Sequence, residues 1–132
     1  MGDSLRRCMG MVYADVTIFS ADGTRRSTVR LLVDTGSTLT WIQENVLETL
    51  GLRPREIRPF RPIAARETPL KRPVTDALIE CDSLQGVVGL VFAKPGDGQV
   101  LGVTALERLG LAVDPTTGTL RREDAFLAVA GA

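Results

Sequence analysis

The chain has 132 residues, 44% apolar and 24% charged, which is the make-up of a soluble globular domain and leaves out disordered and membrane-embedded classes. Its 16 basic residues balance 16 acidic ones, so there is no bulk attraction to nucleic acid. The absence of histidine removes imidazole zinc sites and Ser-His or Cys-His catalysis, and two cysteines cannot build a disulfide framework.

From the N-terminus, Met1 to Phe19 contains no continuous apolar h-region, and no stretch reaches the roughly 20 apolar residues of a membrane span. Gly2 is followed by Arg6 where a myristoylation site has Ser or Thr. A cytoplasmic, thiol-reduced protein is the expectation. Val12 to Phe19 alternates as a half-buried strand, with Val12, Ala14, Val16 and Ile18 on one face. Ala21-Asp22-Gly23-Thr24 is a turn signal, and Thr28 to Val33 reads as the partner strand. This hairpin delivers the chain into Asp34-Thr35-Gly36-Ser37-Thr38.

Trp41-Ile42 leads into a predicted short helix over Gln43 to Leu50, capped by a left-handed Gly51. Trp41, the sole tryptophan, is expected in the core beside that helix. Arg53 to Pro73 holds five prolines and seven basic residues against two acidic ones; it breaks the β pattern, forbids a central strand and is expected to be a solvated loop. Val74 to Cys81 and Val87 to Ala93 are predicted to form a hairpin around Asp82 to Gly86. After Val100-Leu101-Gly102, Leu106-Glu107-Arg108-Leu109-Gly110-Leu111 repeats Leu47-Glu48-Thr49-Leu50-Gly51-Leu52 almost residue for residue. That repeat is either a trace of two equivalent halves or simply how short amphipathic helices end. Gly118 to Arg122 reads as a last hairpin strand, and Phe126 to Ala130 as an apolar tail. Cys8 and Cys81 are expected to be inert small hydrophobes.

Asp34 carries the chemistry. A carboxylate in a tight turn directly after an apolar strand must be hydrogen-bonded, paired or protonated, because an unpaired charge at a protein interior costs several kcal/mol or shifts its pKa. Two roles are open on the residues alone: an acid-base group, or a turn-capping Asp bonded to nearby amides. Ser37 either donates its hydroxyl to that carboxylate, which would lower its pKa, or bonds only backbone.

The apolar strand, Asp34-Thr35-Gly36-Ser37-Thr38 and the later Val100-Leu101-Gly102 with its helix resemble the retropepsin-like, single-domain aspartic proteases of bacterial type, over roughly Gly10 to Arg122. The resemblance implies a mostly β acid-protease fold: a closed or partly closed barrel with one or two short helices and an active site on a homodimer axis. One domain over residues 1–132 is expected, with its core at about 10–122. It implies a homodimeric aspartic endopeptidase in which paired Asp34 carboxylates activate a water, and Thr35 and Gly36 complete the catalytic turn. Ser37 and a flap would meet substrate, the flap being a hairpin within Arg53 to Pro73 with its tip at Ile63, Ala64, Ala65 and Arg66, and Leu101 and Gly102 would support the turn from the second motif. A protein or peptide is the implied substrate, with no cofactor, metal, nucleic acid or membrane partner. Leu120 and Phe126 to Val129 are the segments expected to interleave across the dimer. The chain departs from the pattern in having no glycine between Gly51 and Gly86, where a mobile flap is usually glycine-rich. Two other readings stand beside this one: a dimerisation or peptide-binding module of the same fold without turnover, and a nucleic-acid binder acting through Arg53 to Arg72, the weaker given neutral charge.

Overall fold

The structure, a computed structural model, describes residues 11–61 and 69–123. It is mostly β, with strands β1 (Tyr13–Phe19), β2 (Arg26–Asp34), β3 (Thr40–Gln43), β4 (Glu56–Phe60), β5 (Leu70–Cys81), β6 (Leu84–Ala93), β7 (Val100–Gly102), β8 (Leu111–Asp114) and β9 (Thr119–Arg122). Helix α1 (Glu44–Thr49) follows β3, and helix α2 (Val103–Leu109) follows β7. The strands pair in the order β1-β2-β7-β3-β6-β5-β4, and β1 also pairs with β5. Six strands therefore close into a barrel, and β4 hangs on its rim as an edge strand. β8 and β9 form a separate hairpin.

The alternation in β1 buries Val16 and Ile18 completely, and they meet Leu31, Ile42, Ile79, Leu90, Phe92 and Leu101 in the barrel core. Each such side chain contributes about 1.5–3 kcal/mol relative to exposure. Both helices end as the sequence predicts: Gly51 and Gly110 each adopt φ near 75°, which only glycine enters without strain. Cys81 is buried, and desolvation pushes its thiol up to about 11, so it is unreactive near neutral pH. Cys8 lies outside the described residues.

Two expectations are corrected. The segment Arg53 to Pro73 is not all solvated loop: β4 forms and β5 begins at Leu70, giving the hairpin that the resemblance implies. Pro59 is tolerated on the edge strand, and Pro73 lies where β5 pairs with β4 alone, since β6 joins only from Val74 onward. The second hairpin turns in two residues, not five: Asp82 and Ser83 both take positive φ (54° and 65°), and β6 starts at Leu84. Such a turn matches strand twist, and Asp tolerates the left-handed region, so no glycine announces it. Leu120 pairs with Val113 in the β8–β9 hairpin, where the sequence places a last hairpin strand, and packs on the core of its own chain. Phe126 to Val129 lie outside the described residues.

The sheet also settles the origin of the hexapeptide repeat. β2 runs parallel to β7 as β6 runs parallel to β3. β3 meets β7 antiparallel at Trp41 and Val100, and β1 meets β5 antiparallel at Ile18 and Ile79. The hairpin β1–β2 thus corresponds to β5–β6, and β3–α1 to β7–α2, about an internal two-fold axis. One sequence offset takes Leu32 to Val91, Trp41 to Val100 and Leu47 to Leu106. The repeat marks two equivalent halves.

Candidate active site

Asp34 is the last residue of β2 and lies opposite Gly102 of the parallel strand β7. The backbone turns immediately afterwards. The Gly36 N–H donates to Asp34 Oδ1 at 2.9 Å, and the Ser37 N–H to the Asp34 carbonyl at 3.0 Å. The turn-capping geometry is therefore present, and it leaves Oδ2 without a partner among the described residues. A Cβ on Gly36 would sit 3.3 Å from Asp34 Oδ1, so glycine is what allows the amide its approach.

The chain after the turn is locked by β7 and α2. The Gly102 N–H donates to the buried Thr40 Oγ1 at 3.0 Å, the Val103 N–H to the Ser37 carbonyl at 2.8 Å, and the Thr104 hydroxyl to the Thr38 carbonyl at 2.6 Å. The first of these contacts has a counterpart in the other half, where the Gln43 N–H donates to Gln99 Oε1 at 2.9 Å. Thr40 and Gln99 are related by the internal two-fold, as are Gln43 and Gly102. The same relation carries Asp34 to Ala93. Each half has the lock; one half has the carboxylate.

Above the turn lies a cleft of about 480 Å³ lined by Asp34, Gly36, Leu39, Trp41, Phe60 and Leu70. Trp41 is corrected here from core filler to cleft wall. Thr40 and Ile42 of β3 point inward, so period-two alternation turns Trp41 outward, where it meets Phe60 edge to face at a centroid distance of 5.0 Å. Phe60 and Leu70 face each other across β4 and β5, so this hairpin forms one side of the cleft. The predicted tip, Ile63, Ala64, Ala65 and Arg66, lies outside the described residues.

The hairpin is fastened to the barrel by a fork-to-fork ion pair. Arg72 Nε and Nη2 donate to the two Asp97 oxygens at 2.7 and 3.0 Å, and the Lys94 N–H adds a third bond at 2.9 Å. The Arg72 guanidinium, together with the Lys94 amide, holds the Asp97 carboxyl below its ordinary value. Its stabilising contribution is present above the ordinary carboxylate pKa and is lost as pH falls through the depressed one. Sequence reading missed Thr40, Thr104, Arg72 and Asp97, whose partners lie far along the chain.

Among the predicted site residues, the structure brings Asp34, Gly36 and Ser37 to the cleft floor and sets Gly102 against them, while Leu101 is fully buried beneath. Thr35 is exposed. The Ser37 hydroxyl donates to the Leu39 carbonyl at 2.7 Å, so the proton that could have reached Asp34 is spent on the loop. Ser37→Ala is accordingly expected to cost about 1 kcal/mol in urea unfolding. Its pH-activity profile should overlay that of the parent protein; a shift of the acidic limb would mean that the hydroxyl reaches the carboxylate after all.

A closed β-barrel that ends its second strand in an Asp-Thr-Gly turn, braced by a glycine strand from the other half, is a retropepsin-like fold. Residues 14–90 match the aspartyl protease family, and the chain belongs to it. No curated protein matches the chain. Among the described residues, no helix is long and apolar enough to cross a membrane.

Proposed function

We propose that the chain, a single protease domain, is a cytoplasmic aspartic endopeptidase that works as a homodimer. The observation that carries this reading is the pairing of Asp34, on the cleft floor, with Ala93 at its internal two-fold equivalent: one chain supplies one carboxylate, and the reaction needs two. In the dimer a water lies between the two Asp34 side chains. The ionised carboxylate takes a proton from this water as its oxygen attacks the scissile carbonyl carbon. The protonated carboxyl gives its proton to the carbonyl oxygen. The tetrahedral diol then collapses, with a proton passing to the departing amine. In this reading Thr35 and Gly36 shape the turn, and Thr35, which is exposed, meets its copy across the dimer axis.

The test uses mixed dimers. Adding about a tenfold excess of Asp34→Asn chains to a fixed amount of the parent protein should lower peptide hydrolysis to roughly a tenth, because random pairing puts most parent chains into mixed dimers. Undiminished activity in the mixture would mean that each chain acts alone. Peptide binding without hydrolysis at any concentration would turn the reading to a peptide-binding module.

A further inference from the structure

A second groove, of about 330 Å³, adjoins the cleft and shares Leu39 with it as a common wall. Its other side continues the hairpin that walls the cleft. Along β4, Phe60 and Arg58 are two positions apart and so share a face, with Phe60 in the cleft and Arg58 in the groove. Along β5, Leu70 lines the cleft, while Val74 and Asp76 line the groove. An extended peptide leaving the cleft past Leu39 runs into this groove.

The groove is basic although the chain is neutral overall. Arg55, Arg58 and Arg108 line it, against one lining carboxylate, Asp76. Arg55 donates to Asp76 at 2.8 Å, and Glu56 is shared between Arg55 at 3.1 Å and Arg58 at 3.3 Å. Two carboxylates thus serve two of the three guanidinium groups. Arg108 has no carboxylate partner among the described residues; its stem lies along Gly86, the one residue type whose lack of Cβ leaves it room at 3.0 Å. The side chains of Arg55 and Arg58 are about half exposed, 50% and 51%, so a ligand can reach them. Arg72, the cation directly opposite Arg58 across the strands, is already committed to Asp97.

We infer that this groove is an outer subsite of the peptide-binding cleft that selects an acidic side chain, Asp or Glu, a few residues from the scissile bond, with Arg108 and Arg58 as its specificity-determining residues. The inference rests on the proposed reading of the cleft as a peptide site. Guanidinium groups offer planar pairs of donors that fit a carboxylate, whereas glutamine of the same length presents neither charge nor two acceptors.

The test is built so that it does not need turnover. The Asp34→Asn chain, folded and at dimer-forming concentration, is titrated with extended peptides centred on a phenylalanine. The peptides differ only in carrying Glu or Gln at successive positions on either side. Binding is read from Trp41, the sole tryptophan, whose ring lies in the cleft. At one outer position Glu should bind about threefold to fivefold more tightly than Gln at low salt. The preference should shrink in 0.5 M salt. It should vanish in Arg108→Gln and weaken in Arg58→Gln, with affinity for the Gln peptide unchanged in both. Equal affinity for Glu and Gln peptides at every position, with binding itself intact, would overturn the inference. A preference that survives Arg108→Gln and Arg58→Gln together would also overturn it. Failure of every peptide to bind would sink it along with the peptide-cleft reading. Peptide binding by Asp34→Asn together with no hydrolysis by the parent protein would remove the protease reading and leave the subsite.

Discussion

Asp34→Asn is expected to lower peptide hydrolysis by about 10³-fold or more while leaving the fold intact. The amide is nearly the same size as the carboxylate, and its oxygen can still accept the Gly36 N–H that Asp34 Oδ1 accepts at 2.9 Å, so the turn has no reason to open. The substitution takes away the ability to receive a proton from water, and the NH2 group is not acidic enough to give one to the carbonyl. A diverse peptide library, incubated with matched high concentrations of each protein between pH 4 and 8 and read by mass spectrometry, checks this. Cleavage by the parent protein alone assigns the chemistry to Asp34. Equal cleavage by both would assign it to another residue.

Gly102→Ala is expected to destabilise the protein by about 3 kcal/mol or more. Backbone strain is not the cause, because Gly102 is extended, with φ −89° and ψ 173°, and alanine adopts those angles freely. Space is the cause. A Cβ there would lie 2.3 Å from the Leu39 carbonyl oxygen, 2.7 Å from its carbon and 2.8 Å from the Ser37 carbonyl oxygen. These are backbone atoms that cannot rotate aside, and moving them would break the contacts by which Thr40 and Val103 hold the loop after Asp34. Urea unfolding should show a midpoint lower by more than about 1 M. Gly98→Ala, where a Cβ meets nothing within 4 Å, should change stability by no more than about 0.5 kcal/mol and serves as the control. Similar losses at both positions would mean that the close approach at Gly102 relaxes cheaply.

The parts of the fold legible in the sequence were those set by local rules. Alternation gave the β1–β2 hairpin and the strand that ends at Asp34, and Leu-x-x-Leu-Gly-Leu gave both helix ends, since a left-handed residue at that point has to be glycine. What escaped was decided by partners distant in the chain. Trp41 sits beside Ile42 in a four-residue strand, and only the pairing of β3 between β7 and β6 fixes which of the two faces the core. The hydroxyl of Ser37 has two acceptors in reach of the same turn, and the choice falls to the Leu39 carbonyl once the loop bends. Arg72 and Asp97 are both surface-type residues in the sequence, and their pairing follows from folding the β4–β5 hairpin against the turn after β6. The Asp82-Ser83 turn hid because glycine, its usual marker, stands instead at Gly86 inside β6, where it makes way for Arg108.

The position of β7 bears on how the protein is made. Val100 to Gly102 is inserted between β2 and β3, two strands that have left the ribosome much earlier and that do not pair with each other. Until this late segment arrives, the nascent chain holds two unpaired strand edges and a loop after Asp34 with nothing to brace it. Folding must therefore wait for nearly the whole barrel to be synthesised, and its rate is governed by long-range pairing more than by any local hairpin. A chain interrupted before Val100 would be a sticky, open sheet, so the same insertion that rigidifies the turn after Asp34 also makes that turn one of the last parts of the barrel to be completed.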